Sequence, residues 1–186
     1  EHSLCIVDVH ASHADLTDNY ASIPFEMKKV AEFFGKEFLR DVNEKDFYNQ
    51  LPEVRKATND RAVLRTIHLF EENKRVQKAV QALKENNFDV FKNTVKASGQ
   101  SSFKYLQNIY SNHDTDNQAV SIAIALSEEL LKEYGVCRVH GGGFAGTIQA
   151  FVKDEFVETY KKEIEKYFGE GSCHILKVRK DRKSVV

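Results

Sequence analysis

The spacing of apolar residues along this chain changes period several times, and each change predicts an element. Residues 4–10 are rich in β formers and alternate, which predicts a strand. The stretch 11–19, ASHADLTDN, is polar and reads as a turn. Ile23-Pro24 opens a helix, with Pro24 in its first turn, Val30, Phe33 and Phe34 on its apolar face and Gly35 past its end. A short helix from Asn43 or Glu44 stops at Leu51, before Pro52. Residues 60–86 form a long helix whose apolar positions are Val63, Ile67, Phe70, Val76, Val80 and Leu83. Another helix carries Phe88, Phe91 and Val95 on one face and stops at Ser98-Gly99. Ser101 then caps a helix running to Tyr110.

After the polar loop 111–117 the pattern tightens. Residues 119–134 form a strongly apolar helix with Gly135 as its C-cap. Residues 136–140 and 147–152 are strands, and between them lies Gly141-Gly142-Gly143-Phe144-Ala145-Gly146. An amphipathic helix covers 154–168, and a last strand covers 173–179. The order is β-α-β-β-α-β with an enlarged helical insertion after the first strand. The predicted fold class is α+β, a ferredoxin-like antiparallel sheet with its helices on one face, forming one domain over residues 1–186.

Composition narrows the function classes. With 27 basic and 28 acidic residues the net charge is −1, so no global charge favours nucleic acid or an anionic membrane surface. No apolar run is long enough to cross a bilayer. Lys177, Arg179, Lys180, Arg182 and Lys183 make a basic tail, read as a solvated terminus rather than a phosphate contact. Cys5, Cys137 and Cys173 lie in apolar stretches with no CxxC pair, so they read as buried thiols in a reducing cytoplasm. His10-x-x-His13 has no matching ligand pair, and no metal site is expected. The chain opens Glu1-His2-Ser3-Leu4, without methionine, straight into a strand, and is expected to be part of a longer protein.

The glycine loop is the most informative chemical feature. Five of the nine glycines fall between 135 and 146. A tight hairpin needs one or two, so three in a row suggest close approach of something to the backbone. The loop is not a P-loop or a dinucleotide fingerprint, because it leads into a strand and lacks their spacing. The segment from His10 to Tyr20, with His13, Asp15, Thr17, Asp18 and Asn19, follows a strand and offers polar groups for a ligand. Tyr20 suits a sugar, with an apolar ring and a hydroxyl, and equally suits simple packing at a helix start. No base, magnesium carboxylate and phosphate cradle occur together, and no nucleophile elbow is present.

The residues CRVHGGGFAG, Cys137 to Gly146, resemble the third motif of GHMP-type small-molecule kinases, and among these the galactokinases. The opening strand with HASHADLTDNY, and the middle stretch containing ENKRV (72–76) and SGQSS (98–102), are similar to the same family in the same order. The resemblance implies the C-terminal domain of an enzyme that transfers the γ-phosphate of ATP, with Mg2+, to the anomeric hydroxyl of galactose. It implies that the absent N-terminal domain holds the catalytic residues and phosphate loop, so no catalytic residue is expected here and the chain alone should be inactive. It implies that Tyr20 hydrogen-bonds the sugar, and that Gly141, Gly142, Gly143, Phe144, Ala145 and Gly146 lie against the nucleotide phosphate loop. Two departures bear on the sugar. The family commonly follows the tyrosine with a pair of arginines, whereas Ala21-Ser22-Ile23-Pro24 follows Tyr20 here. Val139-His140 and Ala145 replace Met-Thr and a glycine of the motif. An N-acetylgalactosamine kinase or a non-catalytic sugar sensor on the same scaffold is the alternative. Sugar, ATP and the absent domain are the implied partners, with no nucleic acid and no membrane, in the cytoplasm.

Overall fold

The computed structural model describes residues 1–11 and 16–176. Four strands form one sheet: β1 (His2–Asp8), β2 (Gly135–Val139), β3 (Thr147–Lys153) and β4 (Cys173–Leu176). Their order is β2-β3-β1-β4, and every neighbouring pair is antiparallel. Cys5 lies opposite Ala150 and Val7 opposite Ile148, so the small and branched residues of the central strands share one face. That face is sealed by α6 (Ala119–Leu131) and α7 (Val157–Phe168). Cys5, Val7, Val120, Ala123, Ile148, Ala150, Val152, Tyr160 and Ile164 are fully buried there. The last predicted strand is seen as β4; its residues 177–179, like the basic tail, lie outside the described residues.

The insertion after β1 contributes five helices: α1 (Thr17–Phe33), α2 (Glu44–Asn49), α3 (Leu51–Ala57), α4 (Asp60–Lys84) and α5 (Phe88–Ser101). Side-chain oxygens of Asn43, Asn59 and Asn87 cap α2, α4 and α5, each satisfying first-turn amides. Val30, Ala31, Phe47, Val54, Ala62, Val63 and Phe70 make a second core among α1–α4. The expectation that helices cover only one face fails. Phe91 and Val95 of α5 pack on Val136 and Phe151, residues of the opposite sheet face.

Several boundaries move for local reasons. Pro52 does not end a helix but sits in the first turn of α3, where its missing N–H costs nothing. Pro24 is inside α1, which starts two turns before the expected point. Ser22 donates to the Asn19 carbonyl and accepts from Arg65, bracing those early turns. Gly99 does not stop α5: it gives β2 room, since a Cβ there would be 3.0 Å from that of Arg138. Ser101 is the last residue of α5, followed by one π-helical turn, Ser102–Leu106. Gly135 begins β2 instead of capping α6, because a Cβ would run into the Phe151 carbonyl.

Candidate functional site

The β2–β3 connection, residues 140–146, is held from two sides. Tyr20, in the first turn of α1, donates its hydroxyl to the Gly143 carbonyl at 2.8 Å, and its ring meets Phe144 edge-on at 5.3 Å. From the other side, Asn108 accepts from the Phe144 N–H at 2.6 Å and donates its amide to the Gly142 carbonyl at 3.1 Å. The loop therefore presents Gly141 and Gly142 outward while Gly143, Phe144 and Ala145 are buried.

The glycines follow from this clamping. Gly143 has φ +82° and no space for a side chain, because a Cβ would overlap the Asn108 carbonyl. Gly142 has the Tyr20 ring where its Cβ would be, 2.9 Å from Cε1. Close approach of backbone to something was the sequence expectation, and within this chain those neighbours are Asn108 and Tyr20. Phe144 itself adopts φ +58°, which costs a non-glycine residue energy and is held by the Asn108 bond and the Tyr20 ring. Ala145 is buried at 4% exposure and is outside the left-handed region, so its methyl is carried without that strain.

Asn108 was not singled out from the sequence. The π-turn delivers it: Gln107 donates its N–H to Ser102, closing the wide turn, and adopts the left-handed conformation before Asn108. π-turns recur at functional sites, but nothing in the spacing of SFKYLQN announces one.

Two ionic networks brace the clamp, one buried and one partly buried. Glu26 of α1 accepts from Arg65 at 2.8 Å and from Arg61 at 2.7 Å. Arg65 is 1% exposed and also donates to the Leu106 carbonyl, at the end of the π-turn. Glu72 pairs with Arg75 at 2.7 Å and lies 3.4 Å from Arg138. Arg138, on β2 just before the loop, donates to Ser98 at 2.7 Å and to its neighbour's carbonyl at Val139. Burial raises the Glu72 carboxyl, but hydrogen bonds from Ser98 and Arg75 and the charge of Arg138 outweigh it and hold it below its ordinary value. Burial pulls the His68 imidazole below its ordinary value, and its Nδ1 lies 2.9 Å from Ser101 Oγ.

A cleft of about 460 Å³ opens beside Phe144 and Ala145, with Asp18, Asn19, Ser111 and Asn117 among its walls. Asp114 there is occupied by its own loop. It accepts from the Asp116 and Asn117 backbone and from the Asn117 side chain, and the Asn117 bond lowers its carboxyl most. Of the remaining sequence candidates, His10 is exposed and donates its backbone N–H to the Asp8 carboxylate. His13 and Asp15 lie outside the described residues. Among the described residues no group of three or more His, Cys, Asp or Glu is placed to hold a metal ion. No helix of the described residues is long and apolar enough to cross a membrane.

The four-stranded antiparallel sheet with its helical insertion is a fold found in a solved structure. The galactose-complexed galactokinase of Lactococcus lactis superposes with a TM-score of 0.74 over 94% of this chain and 44% of its own, at 17% identity. In sequence, the galactokinase of Actinobacillus pleuropneumoniae is 31% identical over 163 residues, 88% of this chain and 40% of the relative. That of Haemophilus influenzae strain Rd is 28% identical over 162 residues. No protein-family model matches the sequence. The chain matches the C-terminal part of a galactokinase, and spans about two fifths of the length of these relatives.

Proposed function

We propose that this chain is the C-terminal domain, residues 1–186, of a cytoplasmic sugar kinase that uses ATP and Mg2+ to convert galactose to galactose 1-phosphate. The observation that carries the reading is the Tyr20–Gly143–Asn108 clamp, which fixes a glycine loop with its side-chain-free residues outward. Gly141 and Gly142 offer exposed backbone that another loop can approach closely, which fits them to back the nucleotide phosphate loop of an N-terminal domain. Tyr20 is the sugar contact: its oxygen accepts from a sugar hydroxyl while its proton is held by Gly143, which fixes the direction of the bond. The strand order β4-β1-β3-β2 supports the ferredoxin-like reading of the sheet.

The chemistry falls to the other domain. ATP supplies the phosphoryl group and the metal its charge neutralisation. The described residues contain no carboxylate set suited to that metal, so no step is routed through it here. This chain orients the sugar and shapes the wall of the cleft, and by itself it transfers no phosphate.

The test is ATP-dependent phosphorylation by the full-length protein, offered galactose, N-acetylgalactosamine and other hexoses. Galactose should be consumed, and Tyr20→Phe should raise the KM for sugar more than the KM for ATP. Sugar binding without turnover of any hexose would instead make the protein a sensor. Turnover by residues 1–186 alone would overturn the division of labour.

A further inference from the structure

A second cleft, of about 430 Å³, lies between α5 with its π-turn on one side and α6 on the other, over the edge strand β2. Its walls are apolar where Phe103, Ile124, Ala125 and Cys137 line it. Phe103 is 43% exposed, its ring meeting only Tyr110 edge-on at 5.9 Å among the described aromatic rings. Two ammonium groups, Lys96 and Lys104, border the cleft, and neither has a carboxylate within 4 Å among the described residues. The one carboxylate lining it, Glu128, is exposed and pairs with neither. Ser121 also lines the cleft, though its hydroxyl oxygen is buried away from it.

We propose that this cleft binds a small anion with a flat apolar body, such as an aromatic phosphate or carboxylate, and that its occupancy is transmitted to the glycine loop. The flat body lies on Phe103, Ile124 and Ala125, and the anionic head meets Lys96 and Lys104. Transmission has a short covalent route. Phe103 and Lys104 sit on the π-turn, and that turn ends at Gln107 and Asn108, whose carbonyl and amide hold Phe144 and Gly142. A second route runs through Arg138, which lines the cleft, lies 3.5 Å from Ser102 at the start of the same turn and leads along β2 into the loop. A ligand that shifts the turn therefore shifts Asn108, one of the two supports of the loop, together with Arg138 on the strand that leads into it. This site is separate from the cleft beside Tyr20, and its binding can be read without any assay of phosphoryl transfer.

The experiment is a titration of the isotope-labelled chain with phenyl phosphate, followed by backbone amide shifts. Saturable shifts are expected at Phe103, Lys104 and Ile124, with shifts at Gly141–Gly146 following the same curve. Benzyl alcohol, which keeps the ring, and inorganic phosphate, which keeps the head, should each bind at least about tenfold more weakly. The double substitution Lys96→Gln with Lys104→Gln, both exposed positions, should weaken phenyl phosphate by about tenfold or more. Ala125→Trp should fill the cleft and abolish the shifts, and the lysine variant stands as the test if that one does not fold. Absence of saturable shifts, or equal binding of benzyl alcohol, overturns the site. Saturation at Phe103 with a silent glycine loop overturns the transmission.

Discussion

The two sides of the β-sheet solve the same problem with different chemistry. The side under α6 and α7 is sealed almost wholly by apolar groups, with the Ser127–Tyr160 hydroxyl pair as its buried polar contact. The side facing the insertion carries charge: Glu26 and Arg65 buried together with Arg61 at their edge, and Glu72 with Arg75 and Arg138, all three partly buried. The apolar side needs only matching shape, so it sets the fold. The charged side ties α1, the π-turn and β2 together by directional bonds, and those are the three segments that hold Tyr20, Asn108 and the glycine loop. Apolar burial is non-directional, whereas a hydrogen-bonded ion pair fixes orientation. Placing the ion pairs beside the loop gives precision where backbone groups must be aimed.

The comparison breaks hardest at Arg65. Arg65→Ala leaves Glu26 with only the half-exposed Arg61, and loss of a buried partner costs about 3–5 kcal/mol. Chemical denaturation should show it. The double substitution Glu26→Leu with Arg65→Met should recover most of that loss, because neither charge is then stranded. A double variant as unstable as the single one would mean that the network is needed for stability and not only for aim. Next in size is Gly143→Ala. The methyl would collide with the Asn108 carbonyl at φ +82°, so the loop must detach, at about 2–3 kcal/mol. Gly142→Ala should cost clearly less, since the Tyr20 ring is the neighbour and can swing away. Equal losses at the two positions would deny Asn108 its role as the rigid side of the clamp.

How far the sequence revealed each side follows from the same difference. Alternation in LCIVDV and TIQAFV marks the apolar face directly, because period 2 with one buried face has few other meanings. The charged side misleads periodicity. Along α4 the apolar stripe Val76, Val80 and Leu83 points outward, about half exposed. The face turned inward carries Glu72, Arg75, Ala79 and Ala82. A pattern search reads such charges as solvent-facing and picks the wrong stripe. Of the site, the glycine run and Tyr20 were legible. Asn108 was not, because its place depends on one extra residue in a helical turn, a feature of backbone packing with no residue signature. Gly99 and Pro52 were misread as breaks for a related reason: each has a local use, close packing or a helix start, that only the neighbours reveal.

A milder test lies on the apolar side. Tyr160 and Ser127 are fully buried, and their oxygens are 2.8 Å apart. Tyr160→Phe strands one hydroxyl and should cost about 1–2 kcal/mol. Adding Ser127→Ala should return much of it, as the paired substitution does at Glu26 and Arg65. The expected ratio of the two single losses, larger on the charged side, is the quantitative form of the comparison. Equal losses would erase it.

The smallest effect is a pH slope, and it separates the sides without disturbing either. His68 faces Ser101, Glu72, Arg75 and Arg138 on the charged side, and burial holds its imidazole below the ordinary value of 6.5. The folded state therefore takes up its proton at lower pH than the unfolded state does. Stability from this group is complete above pH 6.5 and declines as pH falls below it, because the unfolded chain then binds a proton the folded one refuses. His2 is shifted the same way by burial and adds to the slope. Glu72 is held below its ordinary 4.5, so its own loss begins under that pH and stays out of the window. Unfolding midpoints measured between about pH 5.5 and 7.5 should fall toward the acid end. His68→Gln should flatten part of that slope while leaving the His2 part. An unchanged slope would mean that His68 protonates freely, and that the charged network opens to water far more readily than its buried side chains imply.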